Sequence, residues 1–193
     1  MRVTADERLT AETDPKRTEA MTTQVQRLAA FSTFQDIAGA VPVEVFQRVF
    51  EENRHRIYSL AFWMTDNELS AEEISTRTFC RAFAANTQPT AEQIDHSLLK
   101  ELRELMPIGL LTLHLTSTST AAVRGNVKRI HMERAVVQIP STERLAFLLH
   151  DVEGYDRKRV AGLLGLTENE VQEAVYQARL LKRELIAGMK SSA

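Results

Sequence analysis

Ala161, Gly165 and Val171 stand at a spacing that leaves the residues around them few ways to fold. Ala161 is small enough for one helix to approach another closely. Gly165, four residues on, can leave that helix at positive φ without a Cβ penalty. Val171, six further, turns back into a core that Val160, Leu164 and Leu166 also supply. Thr167 and Glu170 have the spacing of a capping box, and Leu166 with Val171 that of a hydrophobic staple. Core, turn and cap positions agree on a helix-turn-helix: a short helix capped by Asp156 and running through Leu164, then a long helix opened by Thr167. A plain αα-corner inside a helical bundle is the other arrangement this pattern admits.

The rest of the chain extends the helical reading. Only 7 Gly and 5 Pro interrupt 193 residues, so helices are favoured throughout. Over residues 43–83, Val45, Phe46, Val49, Phe50, Ile57, Leu60, Ala61 and Met64 recur at three- and four-residue steps. Thr65, Asp66 and Asn67 break the period. Ser70 with Glu73 then has capping-box spacing for a second helix carrying Ile74, Thr78, Cys80 and Phe83. Trp63 falls among the paired helices and is expected in the core. Residues 94–106 form a third helix, stopped by Pro107. The Leu-rich run after it alternates with period two, so helix and strand are not separable there. Residues 133–139 predict a short helix ending before Pro140, and Ser141 is placed to cap the next, with Leu145, Leu148 and Leu149 inward and Gly154 ending it.

These elements predict an all-α protein of two small helical domains. Residues 1–30 are polar and expected to be a disordered extension. Residues 31–116 form the first domain, 117–128 a small, polar, Gly-containing linker, and 129–193 the helix-turn-helix domain.

In this order, two blocks resemble the extracytoplasmic-function group of bacterial RNA polymerase sigma factors. The run VFQRVFEENRHRIYSLAFWMTDNELSAEEISTRTFCRAF resembles their region 2, with its paired helices and closing Phe-x-x-Ala-Phe pattern. The run IPSTERLAFLLHDVEGYDRKRVAGLLGLTENEVQEAVYQARLLKREL resembles region 4, with Glu-Gly before the helix-turn-helix and Ala178-Arg179 after it, where the family has a terminal Ala-Arg-x-x-Leu. The resemblance implies binding to the RNA polymerase core and, through the second helix of the motif, to promoter DNA in the major groove. It implies an anti-sigma factor as a further partner. The polymerase-facing set would be Glu72, Glu73, Thr76, Arg77, Phe79 and Arg81. The DNA-facing set would be Arg157, Lys158, Asn169, Gln172, Glu173, Tyr176, Gln177, Arg179 and Lys182.

The sequence departs from the family at the surfaces that matter most. Between Glu168 and Ala178 there are three carboxylates and no Lys or Arg, where the family is basic. Asn169, Gln172 and Gln177 have the chemistry to read adenine, and Glu173 to accept from cytosine. The first helix of the motif carries Lys158 and Arg159 where the family is acidic, which predicts that Arg159 pairs with Glu170 or Glu173. Region 2 has Glu73, Thr76 and Arg77 at altered positions. Its expected aromatic and Asn are missing from the Leu98–Leu105 stretch, which removes stacking platforms for unwound bases. The function expected is transcription initiation as a sigma-like factor, with promoter binding conditional on that acidic helix. The alternative is a sigma-like mimic or decoy that binds an anti-sigma factor or polymerase without reading a promoter.

Composition sets the remaining bounds. A net charge of −2 excludes a general nucleic-acid coat and confines any DNA contact to a local patch. One Cys and five scattered His have no metal-ligand spacing. Asp95-His96 lacks a nucleophile, and no glycine-rich phosphate loop occurs, so neither an enzyme nor a cofactor nor a small-molecule substrate is expected. No signal-peptide or membrane-spanning pattern is seen, which predicts a cytoplasmic protein without membrane partners.

Overall fold

A computed structural model describes residues 42–115 and 128–191. The expected disordered extension, and the expected linker apart from Lys128, lie outside them. Among the described residues all regular structure is helical, as the composition and periodicity predict.

The first half is three helices. α1 (Val43–Thr65) buries Val49, Asn53, Ile57, Leu60, Ala61 and Met64, one stripe at helical spacing. It ends at Asp66, whose left-handed conformation (φ 53°) sends its N–H to the Phe62 carbonyl at 2.7 Å. α2 (Glu68–Ala85) therefore starts earlier than Ser70 predicts. Asn67 is extended and its side chain caps the Ser70 N–H at 2.9 Å, so Ser70 lies inside the first turn. α3 (Ala91–Leu105) likewise opens before Ile94, because Thr90 and Gln93 form a full capping box. It stops at Met106, ahead of Pro107.

The second half is four helices. α4 (Arg129–Val137) begins earlier than expected and turns at Gln138 before Pro140. α5 (Ser141–Phe147) has Ser141 as its first residue and no side-chain cap, contrary to the capping role expected of Ser141. It continues as a π-helical turn, Leu148–Val152, which keeps Leu145, Leu148 and Leu149 all buried. α6 (Arg157–Leu164) and α7 (Glu168–Ser191) complete the chain.

The two halves pack into one another, and their buried residues form one continuous apolar cluster. Polar anchors fix the joint. Arg144 of α5 donates to the Trp63 and Met64 carbonyls at the end of α1, at 3.2 and 3.1 Å, and to those of Ile139 and Val137. Burial pushes its guanidinium below the ordinary Arg range. Arg103 of α3 donates to the Leu163 and Leu164 carbonyls that α6 leaves unpaired, at 3.2 and 3.1 Å. Between these lies a buried hub around Asp95 of α3, which is 3% exposed. Its carboxylate takes Arg56 of α1 and, from the second half, the Tyr155 hydroxyl at 2.9 Å and Arg159 at 2.8 Å. Arg159 also lies 3.7 Å over the Tyr155 ring.

Residues 108–115 resolve the ambiguity of the alternating run: they form neither helix nor sheet. They lie against the second half, with Ile108, Leu111 and Leu113 packed against the core.

Candidate nucleic-acid interface

The helix-turn-helix is built as its residues dictate. Asp156 caps α6 by accepting from the Arg159 N–H at 2.7 Å. Gly165 leaves it at φ 74°, a left-handed conformation that costs glycine little. Its N–H and that of Leu166 both reach the Ala161 carbonyl, at 2.9 and 3.0 Å. Thr167 and Glu170 form the expected capping box, with the Thr167 N–H on the Glu170 carboxylate at 2.7 Å and the Glu170 N–H on the Thr167 hydroxyl at 3.2 Å. These bonds hold the Glu170 carboxyl below its ordinary pKa. Val160, Ala161, Leu164 and Val171 are buried, as the motif requires.

The outward face of α7 carries Glu168, Asn169, Gln172, Glu173 and Tyr176, all exposed. Beside it, Arg157 donates to Gln172 at 2.6 Å, which ties the opening of α6 to the reading face. His150, Arg157, Gln172, Tyr176 and Arg179 share the walls of a hollow of about 570 Å³. Arg179 makes a two-pronged pair with Asp151 at 2.8 and 2.6 Å, which raises its pKa. Lys182 sits 4.3 Å over the Phe147 ring, and burial lowers its pKa. Lys158 is exposed on α6. The carboxylates of α7 have tasks within the chain: Glu170 caps the helix, and Glu173 accepts from the Gln177 amide at 2.6 Å.

Two expectations need correction here. Gln177, placed by sequence on the reading face, is 5% exposed; it exchanges hydrogen bonds with the Leu115 backbone at 2.8 and 3.3 Å. Arg159 pairs with neither Glu170 nor Glu173; Asp95 takes it instead, because α6 packs against α3.

The residues expected to face polymerase divide similarly. Glu72 and Thr76 are exposed and, with Phe50, Arg54, His55 and Tyr58, line a groove of about 630 Å³ between α1 and α2. Glu73 is half-buried. Phe79 is 1% exposed and its ring forms part of the groove floor, so it is a core residue and not a free docking group. Arg77 and Arg81 both pair with the buried Glu101, at 2.7 and 2.6 Å, and with Glu104. Bonding to Glu101 raises the Arg81 pKa. Trp63 packs half-buried on the core, as expected.

Sequence reasoning missed Asp95, Arg56 and Tyr155, the hub that sets how the halves meet. The signal was present: Asp95 precedes Leu98, Leu99 and Leu102 by three, four and seven residues, so a carboxylate lies on the apolar stripe of α3. A charge there needs partners from another element.

Comparison with known proteins agrees with this architecture. Residues 131–181 match the family model for Sigma-70, region 4. The chain is 24% identical over 158 residues to the ECF RNA polymerase sigma factor SigE of Mycolicibacterium smegmatis. That alignment takes in 74% of this chain and 62% of the relative, so the chain spans less than two thirds of that protein's length. In fold it resembles the sigma factor RpoE of Bartonella quintana, solved in complex with the anti-sigma factor NepR. The TM-score is 0.57 at 15% identity, over 73% of this chain and 96% of that one.

Proposed function

We propose that this chain, whose residues 131–181 match the Sigma-70, region 4 model and which is 24% identical to an extracytoplasmic-function sigma factor over 158 residues, acts in transcription initiation. In this reading the α1–α2 groove at Glu72 and Thr76 docks on the RNA polymerase core. The α6–α7 motif meets promoter DNA through Arg157, Lys158, Asn169, Gln172, Tyr176 and Arg179, with Lys182 behind them. The observation that carries the reading is the intact helix-turn-helix, whose cap, turn and core positions agree. The chain performs no catalysis of its own here, works in the cytoplasm with no cofactor or membrane, and answers to an anti-sigma factor. Gel filtration with core polymerase, followed by transcription from a promoter library, tests it. Co-elution with productive initiation supports it; a core enzyme that neither binds the chain nor initiates with it overturns it.

A second reading has its own observation. The exposed face of α7 carries Glu168, Glu170 and Glu173 and no Lys or Arg before Arg179, so each turn meets phosphate with negative charge. That surface suits a sigma mimic that occupies an anti-sigma factor without reading DNA. Tight capture of an anti-sigma factor, with no promoter binding in the presence of polymerase, would select it.

A further inference from the structure

Residues 108–115 leave α3 and cross the second half without joining any helix or sheet. Side chains of the second half hold their backbone. The Gly109 N–H donates to the Thr142 hydroxyl at 3.1 Å. The Thr112 and Leu113 N–H groups donate to one oxygen of Glu143 at 2.5 and 2.8 Å. The Leu115 N–H donates to the Gln177 side-chain oxygen at 2.8 Å, and the Gln177 amide donates back to the Leu115 carbonyl at 3.3 Å.

The last pair has a chemical meaning. A carboxamide that donates and accepts in the same plane is how Gln recognises the edge of adenine in the major groove. Gln177 is the one glutamine of α7 that the fold buries; Gln172, on the same helix, is exposed. Its oxygen and one amide hydrogen meet the backbone N–H and carbonyl of Leu115, a donor and an acceptor as adenine would offer, while the amide also donates to Glu173 at 2.6 Å. Gln177 lies one turn beyond the exposed Glu173, so the Leu115 end of the segment adjoins the exposed face of α7.

The contact is also imperfectly satisfied. Glu143 is 1% exposed, yet its second oxygen has no hydrogen-bond partner. A buried, half-satisfied carboxylate favours any state that readmits water. A segment held by side chains alone, over such a group, can lift without dismantling a helix.

We propose that residues 108–115 are a releasable cover over the Gln177 edge of α7, and that this edge meets a duplex only after the cover lifts. Binding of a duplex at this edge rests on the promoter reading above; the cover itself does not. Amide exchange followed by NMR on the full chain tests it, with Thr112→Pro removing a donor outside every helix and Glu143→Ala removing the acceptor from the other side. In the unaltered chain the Leu113 and Leu115 amides are protected, and in both variants they exchange at least about tenfold faster while Val175 in α7 keeps its rate. Unprotected Leu113 and Leu115 amides in the unaltered chain, or unchanged protection in both variants, would overturn the cover. Binding to a fluorescent mixed-sequence duplex at low salt is the second arm. Tighter binding by Thr112→Pro supports the gating, and equal binding by both chains contradicts it. Fast exchange in the variants with no duplex binding by any chain leaves the cover standing and counts against the promoter reading instead.

Discussion

Asp95 of α3 accepts the Arg159 guanidinium of α6 at 2.8 Å, so the helix-turn-helix is tied to the other half through its own first helix. Arg56 and the Tyr155 hydroxyl share the same carboxylate. Removing the buried member of such a set leaves the cations around it without their counter-charge, whereas removing an exposed member costs little. Asp95→Ala is therefore expected to destabilise the chain by about 3 kcal/mol, and Arg159→Ala by about 1 kcal/mol or less, in urea unfolding. Equal and small losses from both would mean that the hub does not hold the halves together.

Tyr155 offers a test by titration. Burial first, and the Asp95 charge beside it, push its phenol up to about 12, although the nearby Arg56 and Arg159 oppose the shift. The folded state thus favours the protonated phenol. Its contribution to stability is complete below the unfolded value of 10.0 and is lost as pH rises toward about 12. Ultraviolet titration of the three tyrosines should show one late transition, and Tyr155→Phe should abolish it. Three transitions at the ordinary value would contradict the hub geometry.

Gly165 is the hinge of the motif at φ 74°. A Cβ there would meet no heavy atom within 4 Å, so the penalty for alanine is one of backbone conformation and not of crowding. Gly165→Ala should cost about 1–2 kcal/mol. A neutral result would mean that the turn can be made another way.

Thr167 and Glu170 open α7, and Thr167→Ala should cost about 1 kcal/mol as the loss of a cap. The hydrogen bonds from Thr167 lower the Glu170 pKa, so its stabilisation is present above 4.5 and is lost as pH falls through the lower folded value. Glu170→Gln should flatten that part of the stability profile at acid pH. A profile unchanged by Glu170→Gln would count against the capping role.

Much of the architecture was legible because local rules and core demands coincide. Ala161, Gly165, Val171 and the Thr167 cap all say the same thing, and the structure agrees with each. Helix starts were less legible where several residues compete to cap. Asn67 displaced Ser70 because Asp66 adopts the left-handed conformation and turns the chain, so the cap falls three residues earlier. The surfaces were least legible, because a side chain's partner lies on an element that spacing cannot place. Arg159 has carboxylates one helix away in sequence, yet Asp95, 64 residues back, takes it. Gln177 has the chemistry of a base reader, yet Leu115 occupies it.

Promoter binding measured across a salt series, with and without core polymerase, is the sharpest test of the proposed role of the helix-turn-helix in transcription initiation. A polymerase-dependent complex is expected, with an affinity that falls with salt on a shallow slope, since few cations on α6 and α7 are open to phosphate. No complex at any salt with polymerase present, alongside tight binding of an anti-sigma factor, would contradict it and make the chain a mimic.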